Sequence, residues 1–190
     1  MEGVVKGAII VIDFPFSDLT YYKRRPPLII KTPQNFKQGI KALGELITVK
    51  SQGKKIKAMA GGTPGIYDST HSRIIGSAGN IKFWVNKPLK KELEKIVHTP
   101  VYLDNDASMV GLGEAVSGAG KGYSKVVYLT VSTGVGGGRM IDGQIDPSVN
   151  NREPGAQIID SKRILNLEDL IGGRSIEKKY HRKPYEILDE

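Results

Sequence analysis

Two neighbouring stretches restrict the folds open to this chain more than any other feature. Val101-Tyr-Leu-Asp-Asn-Asp-Ala-Ser108 is a short β-prone run whose end is crowded with carboxylates. After a small-residue segment, Val126-Val-Tyr-Leu-Thr-Val-Ser-Thr-Gly-Val-Gly-Gly-Gly138 is a second β-prone run that enters a glycine-dense turn. Strand, helix and strand in that order point to a layered α/β domain, in which ligands bind where strands end and helices begin. A carboxylate at such an end can act as a base, and clustered glycines let backbone N–H groups converge on a phosphate without a Cβ in the way. Together the two chemistries suggest phosphoryl transfer to a hydroxyl.

Composition narrows the class. With 190 residues, 39% hydrophobic and 25% charged, the chain can bury a core as one domain or two small ones. No apolar run approaches the ~18 residues of a membrane span, and Ala8–Ile12 is too short for a signal peptide, so a cytoplasmic location without a membrane partner is expected. The absence of cysteine excludes disulfides and thiolate zinc sites, and His71, His98 and His181 have no ligand spacing, so no metal site is expected. A net charge of +8 attracts anions of any kind. The lysines of 50–57 and 87–95 lack interleaved aromatics and read as solvated faces rather than a nucleic-acid surface.

Along the chain, Ala8–Phe14 and Pro27–Ile30 read as the strands of a hairpin around a Ser17–Thr20 turn. Phe36, Ile40, Leu43 and Ile47 at helical spacing predict an amphipathic helix over 35–50. Lys57–Gly65 reads as a buried strand ending in a turn, Arg73–Ala78 as a short strand, and Lys87–Val97 as a helix behind Asn86. Pro100–Asp104 is a strand, Ala107–Ser117 a helix in which Gly111 and Gly113 suggest close packing, and Lys125–Val131 a further strand. Asp142-Gly143 is a hairpin turn, and Leu165–Tyr180 holds two short helices parted by Gly172-Gly173. The three glycines of Gly118-Ala-Gly-Lys-Gly122 mark the expected hinge between domains.

Asp106 is the candidate base. The competing role for Asp104, Asn105 and Asp106 is to cap the following helix, since each can accept from its free N–H groups. Thr133-Gly-Val-Gly-Gly-Gly138 adds a hydroxyl donor to a glycine cradle. It is neither a Walker loop, having no Gly-Lys-Ser/Thr, nor a dinucleotide fingerprint, since a hairpin rather than a helix follows.

These residues carry a resemblance to the ROK family of sugar kinases and related repressors. Leu103–Ala115 resembles the family's catalytic segment, with Asp106 at the position of the base, and Thr130–Gly138 its second phosphate motif. Gly62–Asp68 is similar to the turn before the sugar pocket, Gly76–Trp84 to the stretch containing the sugar-binding asparagine, here Asn80, and Glu153-Pro-Gly-Ala-Gln157 to the family's Glu-x-Gly-His segment. The resemblance, covering about Lys31 to the end, implies a mixed α/β chain with a partial actin-like ATPase (ribonuclease H-like) fold. Residues 1–32 would form a β-hairpin segment, 33–118 the sugar-binding domain and 119–190 the start of the C-terminal domain. It implies ATP- and Mg²⁺-dependent phosphorylation of a hexose such as glucose. Asp106 would be catalytic, Asn80, Asn105 and Glu153 would bind the sugar, and Thr133, Gly134, Gly136 and Gly137 would hold the nucleotide phosphates. The implied partners are a hexose and a nucleotide, with a homodimer left open.

The chain departs from the family pattern in three places. Ala156 replaces the histidine, leaving a sugar contact to another group such as Gln157; the cysteine-rich zinc segment is missing; and the first phosphate loop, Asp-x-Gly-Gly-Thr, has no counterpart. Asp13 is instead followed by Phe-Pro-Phe, bulk that would obstruct a phosphate. A truncated kinase, weak or inactive by itself, is the expectation. Residues 6–30 also resemble the opening hairpin of the MazF/PemK mRNA-cleaving toxins, with Arg25 at the position of a phosphate-stabilising arginine. An RNA-cleaving relative and a noncatalytic sugar-binding remnant are therefore the alternatives. A ROK repressor is disfavoured because the first 32 residues show no helix-turn-helix pattern.

Overall fold

Local sequence signals account for most element boundaries. The computed structural model describes residues 8–11, 28–76, 79–149 and 153–188, with side chains for 31–76, 81–149 and 153–187. The Ser17–Thr20 turn, Asp13 and Arg25 lie outside the described residues. Strands β1 (Ala8–Val11) and β2 (Leu28–Lys31) pair antiparallel as the expected hairpin, Ile9 opposite Ile30. Helix α1 (Phe36–Ser51) starts where Asn35 Oδ1 accepts the Gln38 N–H at 3.1 Å. It stops at Gln52, whose left-handed backbone returns an N–H to the Thr48 carbonyl. Its apolar face buries Leu43, Leu46 and Ile47.

The chain forms two compact units, Met1–Asp104 and Asn105–Glu190. In the first, β3 (Met59–Thr63) pairs with β6 (Val101–Asn105), and β4 (Ile66–Asp68) with β5 (Arg73–Gly76) as a hairpin that joins the buried Tyr67 and Ile74. β3 is not the fully buried strand expected. It alternates in exposure, and only Thr63 at its end is buried, because its second face has no covering layer among the described residues. Helix α2 (Leu89–Val97) turns Leu89 and Leu93 inward but begins behind Pro88 rather than Asn86. Asn86 adopts a left-handed backbone and donates its N–H to the Ile74 carbonyl at 2.8 Å, which ties it to β5 and removes it from capping. The core of this unit gathers Leu43, Ile47, Tyr67, Ile74, Ile81, Trp84, Leu89, Leu93 and Val101. Trp84 is its anchor: the indole N–H donates to the Pro33 carbonyl at 3.1 Å, and Phe36 meets the ring edge-on at 5.5 Å.

The second unit lays helix α3 (Asp106–Ser117) across the sheet β7 (Lys125–Val131), β8 (Val135–Ile141), β9 (Gln144–Ile145). Asp142 and Gly143, at φ 49° and 73°, make the expected tight β8–β9 turn. Gly111 lets the helix approach: a Cβ there would lie 2.6 Å from Met140 Cε and 2.8 Å from Tyr128 Cβ. Gly113 has nothing within 4 Å and plays no such part. In the glycine segment 118–122, Gly118 and Gly120 both donate to the Glu114 carbonyl and close the end of α3, and the two compact units meet in sequence at Asp104 and Asn105. Strands β10 (Ile158–Asp160) and β11 (Leu165–Asn166) form a small ribbon, followed by α4 (Leu167–Ile171), α5 (Gly173–Tyr180) and α6 (Pro184–Leu188). No helix among the described residues is long and apolar enough to cross a membrane.

Candidate active site

The junction of β6 and α3 divides its polar residues between capping and chemistry. Asn105 is the helix N-cap, its Oδ1 accepting the Ser108 N–H at 3.1 Å. The capping role therefore belongs to Asn105, while Asp106, in the first helical turn, is exposed. Asp106 Oδ1 accepts the Ala107 N–H at 2.9 Å, and Oδ2 has no partner among the described residues. That oxygen is free to accept a further hydrogen bond. Asp104 is buried at the end of β6 and is not part of this exposed group.

Glu153 precedes a 3₁₀ turn, Pro154–Ala156, that is fitted against the start of β8: a Cβ on Gly155 would lie 3.0 Å from Val135 Cβ. Burial pushes the Glu153 carboxyl above its usual range, and the negative charges of Asp106 and Glu168 add to the effect. Three carboxylates therefore share one neighbourhood in this unit. Ala156 and Gln157, the residues around the expected histidine position, are both exposed.

The glycine run divides by strand periodicity. Gly136 and Gly138 face α3, where added Cβ atoms would meet Ala107 Cβ at 3.3 Å and Ser108 Oγ at 3.2 Å. Gly137 faces the other way, 3.1 Å from Pro154 Cγ by the same measure. These glycines permit close packing within β8, and the turn proper is Ser132-Thr133-Gly134. Its carbonyls are all occupied: Ser132 O accepts from Gly173 N–H at 2.7 Å, Thr133 O from Arg174 N–H at 3.0 Å, and Gly134 O from Ser132 N–H at 2.8 Å. In a trans peptide the N–H points opposite the carbonyl, so binding Ser132 O and Thr133 O to α5 turns the Thr133 and Gly134 N–H groups away from it. Neither N–H donates to a protein group among the described residues. Two adjacent free donors with their carbonyls withdrawn fit a phosphate oxygen.

Glu168 escaped the sequence reading. From the first turn of α4 its Oε2 accepts the Val135 N–H at 3.0 Å, across 33 positions of sequence. The one local signal was its place behind Asn166, which with Asp169 forms a reciprocal capping box and so marks a helix start. Asn80 lies in the 3₁₀ helix Gly79–Trp84, and its side chain is outside those described.

Known proteins resemble this chain along most of its length. The model of the ROK family matches residues 3–155, beginning well before Lys31 and so including β1 and β2, and no comparison supports the toxin-like alternative for that segment. A glucokinase of Thermotoga maritima is 37% identical over 106 residues, 56% of this chain and 33% of that relative. The crystal structure of a ROK hexokinase from Thermus thermophilus superimposes with a TM-score of 0.70 at 29% identity, covering 85% of this chain and 56% of the other. A ROK glucokinase from Streptomyces griseus, solved with glucose and AMPPNP, gives 0.66 at 27% identity, covering 80% and 51%. The chain thus spans about a third of the curated relative and about half of each solved chain, and its fold is the actin-like ATPase fold in part.

Proposed function

The chain belongs to the ROK family, and from that premise we propose that it serves the transfer of a phosphoryl group from ATP to a hexose such as glucose. The observation that carries the reading is the pair of free N–H groups on Thr133 and Gly134 in the same unit as the unpartnered Asp106 Oδ2. The residue after Asp106 packs on Gly136, two positions beyond the turn, which supports a base and a cradle acting on one phosphoryl group.

When bound, ATP with Mg²⁺ supplies the phosphoryl group. Thr133 and Gly134 would hold its phosphate oxygens through backbone N–H groups, with the exposed Thr133 hydroxyl beside them. Asp106 Oδ2 would take the proton of the attacking sugar hydroxyl as the new O–P bond forms and the O–P bond to the departing ADP breaks. Glu153 orients the sugar. Its carboxylate oxygens would accept hydrogen bonds from sugar hydroxyls. Asn105 and Asn80 join the sugar-binding set by family resemblance, and Gly136 and Gly137 support the cradle by letting the elements behind it close up. A cytoplasmic protein working on small soluble substrates fits this reading.

The test combines binding and turnover. Calorimetry should detect hexose binding that Glu153→Ala weakens, and any hexose-dependent ADP release in a coupled assay should vanish in Asp106→Asn. A wild-type chain that binds no hexose, or release that survives Asp106→Asn, refutes the proposal.

A further inference from the structure

We propose that Glu168 is a positioning residue which fixes the β8 end of the Ser132–Gly134 turn, so that α4, together with the α5 contacts that turn its peptide planes, holds the Thr133 and Gly134 N–H groups ready for an anionic phosphate. The inference rests on the phosphate-binding reading of that turn and deepens it.

A turn of this composition does not hold one shape by itself. Fixing the backbone of a residue costs about 1–2 kcal/mol, and more for glycine. Here the restraint comes from one distant segment. Gly173 and Arg174 N–H groups bind the carbonyls of Ser132 and Thr133, and Glu168 Oε2 binds the Val135 N–H at 3.0 Å. The first two contacts turn the peptide planes; the third fixes the strand end into which the turn runs. The Glu168 carboxylate also lies against Gly134, where a Cβ would come within 2.8 Å of Cδ. An alanine at 134 would therefore push this carboxylate aside.

Glu168 is itself held. The Asn166–Asp169 capping box fixes the start of α4, Leu167 N–H donates to the Gln157 carbonyl at 2.9 Å, and Gly172 N–H donates to Glu168 O at 2.8 Å. The same helix start is thus linked through Gln157 to the segment that carries Glu153.

The role uses Glu168 as an acceptor, and its negative charge is a cost to an anionic ligand. That separates positioning from electrostatics. Glu168→Gln keeps an acceptor oxygen and removes the charge, Glu168→Ala removes both, and Gly134→Ala displaces the carboxylate while leaving it in the chain.

The experiment measures amide exchange and AMPPNP affinity in the full chain. In Glu168→Ala and Gly134→Ala the Val135 amide should exchange about tenfold faster, the loss of roughly one hydrogen bond to a charged group. AMPPNP binding should weaken about tenfold in Glu168→Ala and stay equal or tighten in Glu168→Gln. Val135 exchange unchanged in Glu168→Ala overturns the proposal, as does a Glu168→Gln variant that loses as much affinity as the alanine. A wild-type chain that fails to bind AMPPNP defeats the phosphate reading, whereas the exchange rates still decide whether Glu168 sets the turn.

Discussion

The same substitution at two glycines of α1 should change stability in opposite directions. Gly39 and Gly44 both lie inside a helix, where alanine is favoured over glycine by about 1 kcal/mol. Around Gly44 the nearest atom to an added Cβ is Ile96 Cδ1 at 3.5 Å, an ordinary contact, so Gly44→Ala should stabilise by about 1 kcal/mol. At Gly39 the Cβ would fall within the Trp84 ring system, 2.6 Å from Cη2 and closer to Cζ2. Carbon atoms want about 3.5–4.0 Å, so the indole must retreat by roughly 1 Å or more. It has little room, being 3% exposed, bonded to the Pro33 carbonyl and edge-on to Phe36. Overpacking of this kind costs about 1–3 kcal/mol and a strained indole hydrogen bond about 1 more. After subtraction of the helix-propensity gain, Gly39→Ala should destabilise by about 2 kcal/mol. Urea unfolding followed by the fluorescence of Trp84, the only tryptophan, reads both variants. A Gly39→Ala chain as stable as the wild type would refute the packing account of α1.

Other outcomes follow from the second unit. Gly111→Ala meets the backbone-proximal Tyr128 Cβ as well as the yielding Met140 tip, and should cost about 1 kcal/mol net, whereas Gly113→Ala, facing open space, should gain up to about 1 kcal/mol in the same urea assay. Glu153 holds its proton to higher pH folded than unfolded, so the folded state binds more protons above the ordinary value of 4.5, and stability falls as pH rises through the window up to the raised value. Glu153→Gln should flatten that slope in thermal melts recorded across the range. Asp146 shows the reverse. The Ser148 hydroxyl, the Ser148 N–H and Arg139 hold its carboxyl below the usual range, so its contribution is present above the unfolded value and lost as pH falls through the folded one. Ser148→Ala should shift acid unfolding to higher pH.

What the chain's sequence determined by itself is its local structure. The periodicity of Phe36, Ile40, Leu43 and Ile47 marks α1, Asp142-Gly143 forces a hairpin, and the polar run before α3 marks a helix start, because such signals act over a few residues. Tertiary structure decided the rest. Whether Asn105 or Asp106 caps α3 depended on backbone angles at the junction, and Asn86 was withdrawn from capping by a carbonyl on β5. The glycines of β8 proved to be divided between α3 and the Pro154 turn, which only the registry of helix on sheet could assign. Glu168 was joined to the Ser132–Gly134 turn through a hydrogen bond to Val135 spanning 33 positions, and no local propensity records which distant N–H a side chain will meet once the chain has packed.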